Sequence, residues 1–247
     1  MSKPTECIEA WLEQRGFNLF SIMDPSSWIA SLRKSFFDLD IFLPVDARVV
    51  LFGSAGTTLW DLLTEDKFSR PDPIDTYAEE TIRQAVKLYW GEPAIQWLYP
   101  GSKIVPLQRL CREAGWSHAS PLGLDIHSQY GTWFACRGAL VIDLPLASSP
   151  VTRSDRPCDT CYERACQVQC PASAVNSDDD FNLNACINYR TLPQSRCADK
   201  CLARLSCPAG ETWQYGEHQV RYHSGLSLEA IRQFNIGHGE QNMGDSP

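Results

Sequence analysis

The chain has 247 residues, 43% hydrophobic and 21% charged, with a formal net charge of −8. That composition reads as a globular protein, long enough for one large domain or a core with a small appended unit. No apolar run approaches the roughly 20 residues that span a bilayer. The N-terminus MSKPTECIEAWLEQ lacks a basic-then-apolar leader, and Glu6 and Glu9 oppose a transit peptide. A cytoplasmic setting with reduced thiols is therefore expected. The acidic balance, without a long Lys/Arg run, points to no nucleic-acid partner and no membrane partner.

In chain order, CIEAWLEQRGF predicts a helix with Ile8, Trp11 and Leu12 on one face and Gly16 as its stop. DPSSWIASLRKSFF predicts a second, with Asp24 as N-cap, Pro25 at N1, and Trp28, Leu32 and Phe36 on one side. RVVLFGS (48–54) reads as a buried strand. DPIDTYAEETIRQAVKLYWG (72–91) is the clearest helix, capped by Asp72 or Asp75, with Ile74, Tyr77, Ile82, Ala85 and Tyr89 as its buried stripe. AIQWLYP (94–100) predicts a strand, and Pro106 to Ala114 a helix ended by Gly115. The near-continuous apolar run TWFACRGALVIDLPL (132–146) predicts a central strand. Strands alternating with helices imply a layered α+β or α/β domain over 1–147. ASSPVTRSDRP (147–157) reads as a linker. Residues 158–215 form a cysteine-dominated unit of poor periodicity, as expected where ligand bonds replace an apolar core. One short helix is expected from Ser224 to Phe234, and 235–247 reads as a mobile tail. The Asp178–Asp180 run reads as a solvated loop.

Of the 11 cysteines, Cys7, Cys111 and Cys136 lie in the first domain, the last two reading as inert buried thiols. The remaining eight are Cys158, Cys161, Cys166, Cys170, Cys186, Cys197, Cys201 and Cys207, enough for two tetrathiolate sites. Zinc sites often use paired CxxC knuckles, but only Cys158–Cys161 is such a pair. The Cys-Pro endings at Cys170–Pro171 and Cys207–Pro208 fit two-cluster ferredoxins better, where the proline-flanked cysteine ligates the other cluster. The spacing, C-x₂-C-x₄-C-x₃-C-P, a lone Cys186, then C-x₃-C-x₅-C-P, is wider than the usual ferredoxin run. Zinc and a non-metal role stay open beside iron–sulfur on spacing alone.

CYERACQVQCPASAV, NACINYRTL and CADKCLARLSCPAG together resemble the cluster-binding part of epoxyqueuosine reductases and reductive dehalogenases. Those families use base-off cobalamin beside two four-iron clusters. The resemblance implies that Cys158, Cys161, Cys166 and Cys207 hold one [4Fe-4S] cluster, and Cys170, Cys186, Cys197 and Cys201 the other. VVLFGSAGTTLWDLL, DPIDTYAEETI and LGLDIHSQYGTWFACRGALVI resemble the cobalamin-processing proteins of the CblC (MMACHC) type. Together the resemblances imply a nitroreductase-like α/β/α sandwich binding a corrinoid, followed by a small ferredoxin-like iron–sulfur module. FMN is an alternative occupant of the same cavity.

A corrinoid pocket needs flat apolar walls and a few convergent polar groups. Trp116, Trp133 and Phe134 are the expected walls, with core packing an equal alternative for Trp133 and Phe134, and Ile126 is a further expected contact. Gly53, Gly123, Gly131 and Gly138 are expected to let backbone approach a ring. Ser54, Thr57 and Thr58 are expected to bond its amide fringe. Arg137, inside an apolar run, must be paired if buried and is read as contacting cofactor or substrate. His127 invites cobalt ligation, but a lone histidine is more often a hydrogen-bonded structural residue. The expected activity is reduction of bound cobalamin and removal of its upper ligand by decyanation or dealkylation, or trafficking of it. A corrinoid-dependent reductase of an organic substrate is the alternative, and a zinc-stabilised binding module the non-enzymatic one. Implied partners are cobalamin, an electron donor such as a ferredoxin, flavodoxin or reductase, and a cobalamin-dependent enzyme. Where epoxyqueuosine reductases place a catalytic aspartate, this chain has LYPGSKIVPLQRL (98–110), without a carboxylate, and their helical-repeat tail is missing. Both departures point away from a tRNA substrate.

Overall fold

The structure, a computed structural model, describes residues 7–63, 65–176 and 181–241, with side chains excepted at 66 and 234–241. The Asp178–Asp180 run and residues 242–247 of the expected tail lie outside the described residues. The chain divides into two units, one of Met1–His118 with Trp133–Arg156 and one of Ala119–Thr132 with Pro157–Pro247. The second unit thus takes in 119–132, a segment that the sequence pattern assigns to the first domain.

The first unit is built on a four-stranded antiparallel sheet. Its strands are β1 (Leu19–Met23), β2 (Arg48–Ala55), β3 (Ile95–Tyr99) and β6 (Phe134–Ile142), in the order β1-β2-β6-β3. The long apolar runs take the two central positions, where both faces are covered. Val49, Val50, Leu51 and Phe52 of β2 have no exposed surface, nor do Ala139, Leu140 and Ile142 of β6. Register runs Arg48↔Ile142 to Phe52↔Gly138, then shifts at a bulge so that Gly53 faces Cys136. The helices are α1 (Ile8–Glu13), α2 (Ala30–Asp38), α3 (Glu65–Phe68), α4 (Pro73–Trp90) and α5 (Leu107–Glu113). α4 packs on β6. A Cβ on Gly138 would collide with Ile82 of α4, which explains the glycine.

One element was not expected and two expectations need correction here. β1 escapes the sequence pattern because Phe20 and Ile22 are apolar on one face while Ser21 is buried on the other. Asp24 caps only a 3₁₀ turn, Pro25–Ser27, accepting from the Ser26 N–H at 2.8 Å; Trp28 and Ile29 are extended, and α2 begins at Ala30. On α4 the buried face is Ile74, Ala78, Thr81, Ile82, Ala85 and Val86. Tyr77 and Tyr89 sit beside that face, with their hydroxyls donating to the Arg15 and Cys7 carbonyls at 3.2 and 3.3 Å.

The second unit holds β5 (Asp125–Ile126), paired with β4 (His118–Ala119), and short helices α6 (Ala165–Val168), α7 (Leu183–Arg190) and α8 (Leu202–Leu205). Its last helix, α9, runs Glu217–Gln241, well beyond the short segment expected, and takes the backbone of 235–241 with it. The apolar core among its described residues is small: Leu122, Val175 and Ala203, with Cys166, Cys170 and Phe181 packed against it. No helix among the described residues is long and apolar enough to cross a membrane.

Candidate metal centres

Eight thiols in the second unit come from separate stretches of chain. Cys158 lies in the 3₁₀ turn Pro157–Thr160, with Cys161 just after it, Cys166 in α6, and Cys170 a helical turn further on. Cys186 is in α7, Cys201 caps α8, and Cys207 follows that helix. α7 is started by Asn182, whose side chain accepts from the Ala185 N–H at 2.9 Å.

Electrostatic neighbours sort these thiols into two sets. Burial pushes the Cys166 thiol up, and Cys207 and Cys161 push it further. Burial also raises Cys207, again with Cys161 adding. At Cys186 burial acts first, then Cys201, with Arg190 opposing and Cys170 and Cys197 adding. At Cys201 burial is largest, Cys197 and Cys170 add, and Arg204 opposes. One set is therefore Cys161, Cys166 and Cys207, with Cys158 tied to Cys161 through the Cys161 N–H···O=C Cys158 bond of 3.3 Å. The other is Cys170, Cys186, Cys197 and Cys201.

All four thiols of the second set line one cavity of about 280 Å³, between apolar Leu122, Val175, Phe181 and Ala203 and cationic Arg190, Lys200 and Arg204. Cys166 and Cys170 pack against the same small apolar core, so the two sets share a wall. Among the described residues, no group of three His, Cys, Asp or Glu side chains is arranged to hold a metal ion. Four thiolates around one roomy cavity suit a cluster, whose bridging sulfides separate the ligands. The donor set therefore fits iron–sulfur chemistry.

The turn 127–131 braces this region. The His127 and Gly131 N–H groups donate to each other's carbonyls at 2.8 and 3.0 Å. His127 Nδ1 accepts from the backbone N–H of Gln129 and Tyr130 at 2.9 and 3.2 Å, so that nitrogen is committed to the turn. Tyr130 stacks near His127 and meets Trp213 edge-on, with centroids at 4.4 and 4.8 Å. Gly131 has φ +57°, and a Cβ there would collide with the Ala209 carbonyl; Gly210, φ +71°, lies equally close to Tyr130. These two glycines let the turn press backbone to backbone against the chain just after Cys207.

The residues expected to wall a corrinoid are placed differently. In the first unit, a Cβ on Gly53 would meet Trp116 at 2.9 Å, and the Trp133 carbonyl accepts from the Gly56 N–H at 2.7 Å. Ser54, Trp116, Trp133 and Arg137 are buried. Thr58 Oγ1 donates to the Ala55 carbonyl at 3.0 Å, and Thr57 Oγ1 to Asp61 at 2.6 Å. In the second unit Ile126 is buried, and Gly123 faces Phe181. A residue lining an open cofactor cleft is exposed when the cleft is empty. Gly53, Ser54, Trp116, Ile126, Gly131, Trp133, Arg137 and Gly138 are buried against the protein itself, leaving Thr57, Thr58, Gly123, His127 and Phe134 with accessible surface. Beside the expected glycines Gly53, Gly123, Gly131 and Gly138, the space that a Cβ would take is filled by Trp116, Phe181, Ala209 and Ile82.

A polar cluster that sequence reasoning did not assemble lies in the first unit. Tyr99 donates to the Asp75 carboxyl at 3.2 and 3.4 Å, and Arg137 acts on both electrostatically. Burial, ahead of the Tyr99 hydrogen bond that opposes it, raises the Asp75 pKa. Burial and then the Asp75 charge push Tyr99 up to about 12. Asp75 also lines a cleft of about 480 Å³ with Asp72, Glu79, Glu80, Arg83 and Pro100. The 98–110 stretch carries no carboxylate of its own, but it has one beside it in space. The signal was available in DPID and in the buried arginine, but nothing in the spacing pairs them.

Fold and thiols together define a mixed α+β protein with an antiparallel sheet and an eight-thiol unit. Neither a protein-family model nor a curated protein sequence matches the chain. Among solved structures it is similar in fold to epoxyqueuosine reductases. For that of Streptococcus thermophilus the TM-score is 0.54 at 14% identity, covering 83% of this chain and 65% of that one. A selenomethionine-labelled epoxyqueuosine reductase gives 0.59 at 11%, covering 87% and 67%. A third, solved with an epoxyqueuosine-modified tRNA-Tyr stem loop, gives 0.55 at 10%, with the same coverage. The chain thus spans about two thirds of the length of the structures it matches.

Proposed function

We propose that this chain is an iron–sulfur oxidoreductase in which two thiol sets hold two [4Fe-4S] clusters and supply electrons singly to a reductive reaction. The observation that carries this reading is the cavity lined by Cys170, Cys186, Cys197 and Cys201, with Cys161, Cys166 and Cys207 acting on one another as a separate group. The fold likeness to epoxyqueuosine reductases supports the same class. It also supports base-off cobalamin as the group that the clusters would serve and a nitroreductase-like sandwich as the first domain. Contacts to a corrinoid would have to come from residues other than most of those the motifs singled out.

Within the chain the thiolates bind and insulate the clusters, the Leu122/Val175/Ala203 core excludes water between them, and Arg190 and Arg204 offset thiolate charge. In the first unit the Tyr99 hydroxyl stays protonated at neutral pH and donates to Asp75. Reduction of an organic substrate is favoured over removal of cobalamin's upper ligand, since the buried strand-end residues weaken the CblC-type reading. The tRNA complex of one neighbour puts an epoxyqueuosine stem loop back among the substrates to try.

The test uses anaerobic protein reduced by dithionite and mixed with cobalamin, then with cyanocobalamin, an epoxyqueuosine-bearing stem loop and a panel of small organic acceptors. Uptake of electrons by the protein and their transfer to cobalamin or an acceptor is the expected result. A protein that takes up no electrons contradicts the reading. Cyanide release without organic turnover would select the decyanation form.

A further inference from the structure

Charge around the two thiol sets is unequal. Arg190, Lys200 and Arg204 border the cavity of Cys170, Cys186, Cys197 and Cys201, and no carboxylate among the described residues does. Two of these cations are fixed by the fold. Arg190 donates to the Cys197 carbonyl at 3.1 Å and to the Ser227 hydroxyl and Ser224 carbonyl at 3.0 Å each. Arg204 donates to the Thr132 carbonyl at 2.6 Å and hydroxyl at 3.3 Å, with its guanidinium 5.1 Å from the Tyr215 ring centre. The loop carrying Cys158, Cys161 and Cys166 holds Asp159 and Glu163 against Arg164.

An iron–sulfur cluster becomes more negative when reduced, so nearby positive charge raises its reduction potential and a net negative loop lowers it. We propose, resting on the two-cluster reading, that Arg190, Lys200 and Arg204 make the Cys170/Cys186/Cys197/Cys201 site the electron sink of the pair. One electron from an external reductant such as dithionite then resides there, and the Cys158/Cys161/Cys166/Cys207 site is reduced second. The step is an electron transfer alone: the reductant loses one electron, one cluster gains it, and no bond is made or broken. The three cations are positioning residues acting through charge.

Potentiometric titration followed by electron paramagnetic resonance tests this on wild type, Lys200→Gln, Arg204→Gln, Arg190→Gln and Arg190→Lys. Two separate one-electron waves are expected, the upper one missing from Cys186→Ala. Each Gln variant lowers that wave, by up to a tenfold weaker hold on the electron, about 59 mV for a one-electron couple. Arg190→Lys restores it, and the lower wave stays put. Lys200, half-exposed, removes charge with the least disturbance, so its variant keeps the test open if an arginine variant fails to fold. The proposal is overturned if the upper wave is instead the one missing from Cys166→Ala, or if Lys200→Gln and Arg204→Gln move neither wave or both equally. Protein that builds no cluster at all removes the two-cluster reading itself, which separates the two failures.

Discussion

Asp75 is a half-buried carboxyl beside a tyrosine hydroxyl, and its response to pH has a definite sign. Its folded pKa lies above the unfolded value, so the folded state holds the proton over a window that opens near pH 4 and extends upward. Stability is therefore lost as pH rises through that window, at most about 1.4 kcal/mol per pKa unit of difference. Asp75→Asn is expected to flatten the pH dependence of urea unfolding between pH 4 and 7; an unchanged slope would count against the burial argument. Tyr99→Phe strips the carboxyl of its donor and is expected to cost about 1–3 kcal/mol by the same measurement. Arg137 was legible as a residue needing partners because a guanidinium cannot sit alone in an apolar run. Asp75 and Tyr99, which feel its charge, were not legible beside it, since Asp75 begins α4 and Tyr99 ends β3, and only the folded sheet places them together.

Among elements, β2, β6 and α4 were readable because long apolar runs and a strong helical period leave one way to bury them. β1 was not, since its five residues put Phe20 and Ile22 on one face and a serine between Leu19 and Met23 on the other, and α9 was not, since its start depends on tertiary anchors. Arg190 ties Ser224 and Ser227 to α7, and Leu228 is buried. The turn at Gly131 shows how one residue type can be noticed for the wrong reason: its missing side chain admits Ala209, not a cofactor ring. Gly131→Ala combines a positive φ with a backbone collision and is expected to destabilise the second unit by at least about 1–3 kcal/mol. Iron bound after anaerobic reconstitution should fall with it, most at the Cys207 site. Normal iron content would contradict the bracing role. Cys166→Ala and Cys186→Ala should each remove roughly half of the iron, whereas Cys111→Ala, distant in sequence and buried in the first unit, should remove none.

At the scale of the molecule the two units differ in what holds them. The first has a covered four-stranded sheet; the second has a small apolar core among its described residues and eight thiols, so on the proposed two-cluster reading ligand bonds supply much of its folding energy. Iron chelation is thus expected to melt the helices of the second unit while the sheet persists, giving two unfolding transitions in circular dichroism where the loaded protein is more resistant. The measurement that reaches the central claim most directly is iron and acid-labile sulfide per chain in anaerobically prepared protein. Two four-iron clusters predict about eight of each. Zinc in their place, or iron without sulfide, would contradict the account.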